Sequence, residues 1–492
     1  MAVLSIDAGT TGVTVLVITE DAEVAGRGYQ VFPQHFPKDG WVEHDPDEIW
    51  AATLGAVRQA LSSTEVWPTC VGIANQRETV VLWDRETLGA PRRAIVWQDR
   101  RTAGLCEQLR QDGHEPLINA RTGLRLDPYF SATKLSWIRS NDVRTWRGVM
   151  AGRVAVGTVD SYLVARLTGG TLHVTDASNA SRTLLFDLHS GDWSEELCEM
   201  FGVPISALPA VVPSYGPIGR TDPAHFLDLD IPIAGIAGDQ QAALFGQTCF
   251  FTGMTKCTYG TGSFVLTNTG GEVVSSSSGL LSTVAWGAPD GSLTYALEGA
   301  TFVTGAAVQW LRDGLQIIKS AAESETLAKS VADSGGIVFV PALTGLGAPD
   351  WDPSARGAIL GITRATTRAH LARATLEAIA FQVRDVVDLI TREAQVKLPS
   401  LAVDGGASAN NLLCQLQADQ LGTPVVRPRV IETTALGAAF LAGLGTGVWS
   451  SVDELQGSWQ LDRRFQPAER DERAHRRWRT AVDRAKGWAT DM

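Results

Sequence analysis

The sequence predicts an α/β protein of two similar halves with a cleft between them, and three observations carry that expectation. Short apolar, strand-like runs alternate with helical patterns along the whole chain, as α/β layering requires. A strand–turn–strand unit occurs twice. Residues 3–6 and 13–18 flank Asp7-Ala8-Gly9-Thr10-Thr11-Gly12, and residues 255–267 repeat the pattern around Tyr259-Gly260-Thr261-Gly262-Ser263. Finally, 492 residues exceed what one hydrophobic core organises, and no low-complexity linker interrupts them. The second copy places the boundary near Phe245-Gly246, which gives domains 1–246 and 247–492.

The elements follow in order. Gly-Thr turns of hairpin length between apolar runs define the two hairpins. Residues 45–60 read as a helix opened by Asp45-Pro46, an N-cap followed by the one position where proline suits a helix. Residues 71–74, 80–83, 337–340 and 401–403 read as strands. Residues 366–390 keep apolar side chains three and four apart over a long helix. The stretch 469–486 mixes Arg, Glu and Asp, and its mixed signs predict a solvated helix face and not a binding patch.

Composition narrows the function. Apolar residues are 44% and charged residues 20%, an ordinary globular balance. The formal charge, 42 − 54 = −12, argues against broad binding to nucleic acid or anionic membrane. The six cysteines are scattered with no CxxC pair, which predicts reduced thiols and a cytoplasmic protein. No apolar run reaches the ~18 residues of a membrane span, and Asp7 breaks the N-terminal one.

A P-loop, a Rossmann glycine fingerprint, HExxH and G-x-S-x-G are all missing from the sequence. A nucleotide user built here must therefore grip phosphates differently. Backbone N–H groups at Gly-Thr turns form concave anion sites, to which threonine hydroxyls add donors. Asp7, at the strand end entering the first hairpin, is placed to hold Mg²⁺ directly or through water. A third cluster, Asp404-Gly405-Gly406-Ala407-Ser408-Ala409-Asn410-Asn411, follows a strand and opens a helix. Its small residues leave room for a flat ring, and the helix start favours phosphate.

The first hairpin, the Asp-Gly-Gly-Ala turn and GAILGITRATTRAHLARATLE (357–377) resemble the FGGY family of carbohydrate kinases. Further stretches, among them GWVEHDPDEIW (40–50), NQRET (75–79), IVWQDRRT (95–102), DPYFSATKLSW (127–137), HVTDASNASRTLLF (173–186), GIAGDQQAALFGQ (235–247) and YALEGA (295–300), are similar to its glycerol-phosphorylating branch. The resemblance implies a duplicated actin/Hsp70-like (ribonuclease H-like) ATPase fold that transfers the γ-phosphate of MgATP to glycerol, giving sn-glycerol 3-phosphate. It further implies a homo-oligomer, dimer or tetramer.

By the same resemblance, Arg77, Glu78, Trp97, Tyr129, Asp239, Gln240 and Phe264 form the polyol pocket. Trp97 and Phe264 would cover the carbon skeleton while the polar groups bond the hydroxyls, as a selective polyol site needs. Asp239 would be the general base, with an ordinary carboxylate pKa sufficient because the proton leaves late in phosphoryl transfer. Thr10, Thr11, Gly12, Thr261 and Gly262 would hold phosphates, Gly305 and Gln309 would lie near ribose or base, and Gly406, Ala407 and Asn410 would flank adenosine. His44 reads as structural and Arg100-Arg101 as an ion-pair anchor.

Departures from the family pattern are visible. Many members carry Arg where this chain has Thr14, and Gln where it has Ala8. The loop 221–230 is acidic and poorly suited to the sugar bisphosphate that regulates some members, and His225-Phe226 only begins the motif that others phosphorylate. Two rival readings stand beside the first: a kinase for another small polyol, and a non-catalytic ATP-binding regulator.

Overall fold

The computed structural model describes residues 1–490. The first hairpin is β1 (Ala2–Ala8) and β2 (Gly12–Thr19), and β3 (Val24–Val31) continues the meander. β4 (Cys70–Asn75) lies parallel to β1, β6 (Pro232–Gly238) lies parallel to β4, and β5 (Tyr215–Arg220) closes the edge antiparallel to β6. The first sheet therefore runs β5-β6-β4-β1-β2-β3.

In the second half β7 (Thr255–Tyr259) and β8 (Ser263–Gly270) form the repeated hairpin, followed antiparallel by β9 (Leu281–Gly287) and β10 (Leu293–Thr301). β11 (Leu401–Asp404) is parallel to β7, β12 (Val425–Pro428) is parallel to β11, and β13 (Leu461–Phe465) is antiparallel to β12. The order β9-β10-β8-β7-β11-β12-β13 repeats the connectivity of the first sheet with one strand added. Duplication is thus a property of strand order as well as of turn sequence.

The predicted helices form where their signals lie. α1 (Pro46–Ser62) is capped by Asp45, whose side chain accepts the Asp47 N–H in the manner of an N-cap. α2 spans Ser131–Asn141. α3 (Asp239–Gly246) leads out of β6. α4 (Arg368–Glu393) is the long amphipathic helix of the second half. α5 (Asn411–Leu421), α6 (Thr433–Thr446) and α7 (Glu472–Ala485) also belong to that half.

The halves meet through α3 and α6. Both helices contribute to one buried cluster that also takes in Val3, Ala74, Ala234 and Ala237 of the first sheet and Ala402 and Val426 of the second. The helices approach so closely that a Cβ on Gly437 would fall 1.7 Å from the Ala242 carbonyl oxygen, so only glycine is admitted there. Ser5 Oγ donates to the Ala435 carbonyl. Side chains alternate along β1, so Asp7 shares the face of Ser5, which is the face turned to α6.

α7 corrects the expectation of a simply solvated face. Trp478, Ala481, Val482 and Ala485 are buried, and Trp478 stacks on Phe381 of α4 at 5.8 Å. The apolar residues at i, i+3, i+4 and i+7 are the stripe of an amphipathic helix, hidden in the sequence by the density of arginine around them. All six cysteines are buried and free. Among the described residues no helix is long and apolar enough to cross a membrane.

Candidate active site

Arg77 and Glu78 follow directly on β4 and sit at the centre of the molecule. The Arg77 guanidinium is 2% exposed and every one of its nitrogens has a partner. Nε lies 3.2 Å from Asp239 Oδ1, Nη1 donates to Gln241 Oε1 at 3.2 Å and to Glu298, and Nη2 donates to the Tyr129 hydroxyl at 3.3 Å. Glu298, on β10, also receives Arg182 Nη2 at 2.9 Å, and Arg182 Nε reaches Glu78 at 2.7 Å. Two guanidinium groups and two carboxylates thus alternate in a core from which water is excluded, where unpaired charge would be costly. Glu78 holds φ +62°, a left-handed backbone that a non-glycine residue adopts at a cost of order 1–2 kcal/mol and that clusters at functional sites.

Around this core stand the aromatic groups. Trp97 and Tyr129 meet edge to face at 5.5 Å, and Arg77 lies over the Phe264 ring at 5.9 Å. Trp97 Nε1 donates to Thr10 Oγ1 at 2.9 Å, so the predicted polyol group touches the first hairpin directly. Gln240 departs from the arrangement: its side-chain oxygen accepts from the buried Lys256 ammonium, which also donates to Thr258 Oγ1 at 2.8 Å. The structure therefore brings Arg77, Glu78, Trp97, Tyr129, Asp239 and Phe264 together, with Gln240 turned toward the second hairpin.

Asp239 opens α3 at its first helical position, with Gly238 as the cap. Its carboxylate is consequently not spent on capping. Oδ1 accepts the Gln240 N–H at 2.7 Å and faces Arg77, and among the described residues Oδ2 carries no hydrogen bond. The side chain is 26% exposed. Burial raises its pKa above the ordinary carboxylate value, partly offset by Arg77. Burial and the nearby charge of Asp239 raise Asp7 to about 8. Glu298 goes the other way: burial would raise it, but Arg182 and Arg77 outweigh burial and hold it at about 2.

Carboxylates are the donor chemistry of a hard cation, and Asp7 lies close enough to Asp239 to feel its charge. Among the described residues no cluster of three or more His, Cys, Asp or Glu side chains could cage a metal. Asp7 and Asp239 therefore fit Mg²⁺ only in the mode that completes its shell with water and substrate phosphate.

In the second half the hairpin turn, Gly305 and the Asp-Gly-Gly-Ala turn come together. Each hairpin closes on itself through Gly9 N to Gly12 O at 3.0 Å and Gly260 N to Gly262 O at 2.9 Å. Thr11 and Thr261 are exposed at the tips. Gly305 N donates to Gly260 O at 3.0 Å. Gly405, at φ +80°, lies so near Tyr259 that a Cβ would meet its carbonyl oxygen at 2.6 Å, seating the Asp-Gly-Gly-Ala turn against the second hairpin. Beside it, a Cβ on Gly406 would meet no heavy atom within 4 Å. Ala407 is partly exposed in the same turn. Asn410 caps α5, accepting the Leu413 N–H at 3.0 Å, so its side-chain oxygen is engaged. Gln309 is exposed.

Sequence reasoning missed Arg182, Glu298 and Lys256. Each is a single ionic residue inside an apolar or small-residue run (Ala296-Leu297-Glu298-Gly299-Ala300, for instance), and that isolation was the available signal, because a lone charge on a buried strand needs a partner. His44 and Arg101 behave as structural groups. His44 is buried between Gln34 and Gln76 and lowered to about 4 by burial. Arg101 is held by Asp99 and Glu43, each at 2.8 Å.

Comparison with known proteins adds an independent finding. Residues 2–246 match the N-terminal domain of the FGGY family of carbohydrate kinases, and residues 255–446 match its C-terminal domain. The chain is 52% identical over 492 residues to glycerol kinase 2 of Thermotoga maritima and 54% identical over 491 residues to a glycerol kinase of Aromatoleum aromaticum, covering 99% of each chain in both cases. Its fold superimposes on a crystal structure of Plasmodium falciparum glycerol kinase with ADP at a TM-score of 0.92, with 35% identity over 98% of both chains. A xylulose kinase from Rhodospirillum rubrum shares the fold at a TM-score of 0.85 and 22% identity.

Proposed function

The chain belongs to the FGGY family of carbohydrate kinases, and from that premise we propose that it transfers the γ-phosphoryl group of ATP to a terminal hydroxyl of glycerol. Full-length relatives about half identical to it bear that activity in their names, and the Arg77-centred cluster is the observation in the molecule that favours it. One planar cation there is shared by Asp239, Tyr129 and Glu298, beside two aromatic rings: hydroxyl-binding groups facing a wall for C–H surface.

The residues of this chain would divide the work as follows. Arg77, Glu78 and Tyr129 orient the triol, Trp97 and Phe264 cover its carbons, and Gln240, its side-chain oxygen held by Lys256, borders the site from the same helix start. Asp239 Oδ2 accepts the hydroxyl proton as the oxygen attacks. Its raised pKa makes it a better proton acceptor than an ordinary aspartate, and the Arg77 guanidinium opposes that rise in favour of the charged form. Phosphoryl transfer proceeds through a loose transition state, so alignment matters more than base strength. Backbone N–H groups and hydroxyls at Thr10, Thr11, Gly12, Thr261 and Gly262 face the phosphates as a preorganised anion site. Gly305, Gln309, Gly406, Ala407 and Asn410 bound the adenosine. Mg²⁺ held by Asp7 would supply neutralisation of phosphate charge.

The proposal extends to a domain boundary at 246/247 and to a cytoplasmic homo-oligomer of two or four chains. Six free, buried thiols support a reducing compartment. A coupled assay of ADP production with MgATP and glycerol, erythritol, dihydroxyacetone, xylulose or no acceptor tests the reading. Glycerol is expected to give the highest kcat/KM. A preference for another acceptor would transfer the same fold and mechanism to that substrate, and ATP binding without any acceptor-dependent turnover would make the chain a regulator.

A further inference from the structure

Lys134, on α2, is fully buried and has no part in the chemistry above. Its ammonium donates to three consecutive backbone carbonyls, those of Pro128 at 2.7 Å, Tyr129 at 2.6 Å and Phe130 at 3.0 Å. An ammonium has three protons, so each one has its own acceptor. The acidic groups facing it, Glu78, Asp99 and Asp127, act at longer range. A side chain needed only to fill space would be apolar, because burying a charge is costly. What this charge does is gather one short segment.

That segment carries Tyr129. Its N–H is fixed by Asp127 Oδ1 at 2.9 Å, and the next helix is tied to the Glu78 carbonyl through Ser131 Oγ at 3.0 Å. The Tyr129 hydroxyl meets Arg77 and its ring meets Trp97. The only chain carrying these groups to the cluster is therefore the one Lys134 clamps from behind.

We propose that Lys134 is a positioning residue for acceptor recognition, fixing the backbone of residues 128–130 so that Tyr129 stands against Arg77 and Trp97. The inference rests on the reading that Tyr129 lines the acceptor site. Burial lowers the ammonium to about 8 against the pull of Glu78, Asp99 and Asp127, so the clamp is strongest at and below neutral pH.

A double-mutant cycle tests it: kcat and both KM values for the wild type, Lys134→Met, Tyr129→Ala and the double variant. Misplacing an orienting group by about an ångström can cost up to ~100-fold. Lys134→Met is expected to raise the glycerol KM about tenfold, to leave the ATP KM within about twofold, and to narrow the preference for glycerol over erythritol. The double variant should be no worse toward glycerol than Tyr129→Ala, since both changes remove one device. Fully additive penalties, or equal rises in both KM values, overturn the inference. If Lys134→Met does not fold, Lys134→Gln gives the same readings. If neither folds, Lys134→Arg, which keeps the charge but not the compact three-proton fit, decides: its glycerol KM should rise while the ATP KM stays level, and a level glycerol KM refutes the clamp. Absence of glycerol turnover in the wild type would instead overturn the proposed function.

Discussion

Replacing Glu298 with Gln removes one carboxylate from between two buried guanidinium groups, and its cost can be worked from the structure. The residue is wholly buried, and Arg182 and Arg77 hold it at about 2 against an ordinary 4.5. At ~1.4 kcal/mol per pH unit, that difference is worth about 3 kcal/mol of folding free energy at neutral pH. The figure agrees with the ~3–5 kcal/mol typical of breaking a buried pair and stranding its partner. The sign is set by linkage. Because the folded state depresses this pKa, the stabilisation is fully present above about 4.5 and is lost as pH falls toward about 2. Denaturant unfolding of wild type and Glu298→Gln should differ by about 3 kcal/mol at pH ~7, with the gap closing by roughly two-fifths at pH ~3.5. Arg77 also loses its anchor, so the glycerol KM should rise several-fold or more. An unchanged midpoint at neutral pH, or a gap indifferent to acid, would refute the account of this core.

Two further substitutions probe the nucleotide side. Thr14 lies directly across the hairpin from Asp7, on the same face and partly exposed; Thr14→Arg should raise kcat, since a cation reaching the transferring phosphate can be worth ~10³-fold, and steady-state kinetics showing an unchanged or lower kcat would dispose of the idea. Gly406→Leu places a side chain where nothing lies within 4 Å of the new Cβ, so thermal unfolding should barely move while the ATP KM rises about tenfold and the glycerol KM stays put; a glycerol KM that rises equally would remove Gly406 from the adenosine site.

Legibility in the sequence followed the range of the forces involved. The hairpins could be read because Gly-Thr turns between apolar runs act over a few residues, and the structure repeats them within sheets of matching order. α1 and α4 were legible through a cap and a 3.6-residue period. The approach of Arg77 to Asp239, 162 residues apart, has no local signature, and resemblance supplied it. Nor could the sequence show that Arg77 of the first half is held by Glu298 of the second, because pairing across a domain interface leaves only a solitary charge in each strand. The buried stripe of α7 was masked for a related reason: arginines around Trp478 dominate the local composition, Arg473, Arg476 and Arg477 being exposed. The raised pKa of Asp239 depends on burial and on neighbours drawn from three different segments.

The proposed chemistry turns on Asp239 taking the acceptor proton, and the most direct measurement is glycerol-dependent ADP release by wild type and Asp239→Asn, with glycerol and ATP binding followed alongside. The substitution keeps the shape of the side chain beside Arg77 but removes the base. We predict strong turnover in the wild type, a fall of about 10²–10⁴-fold in kcat in the variant, and binding of both substrates retained. Turnover in Asp239→Asn within a few-fold of wild type would contradict the assignment and move the proton acceptor elsewhere in the crevice.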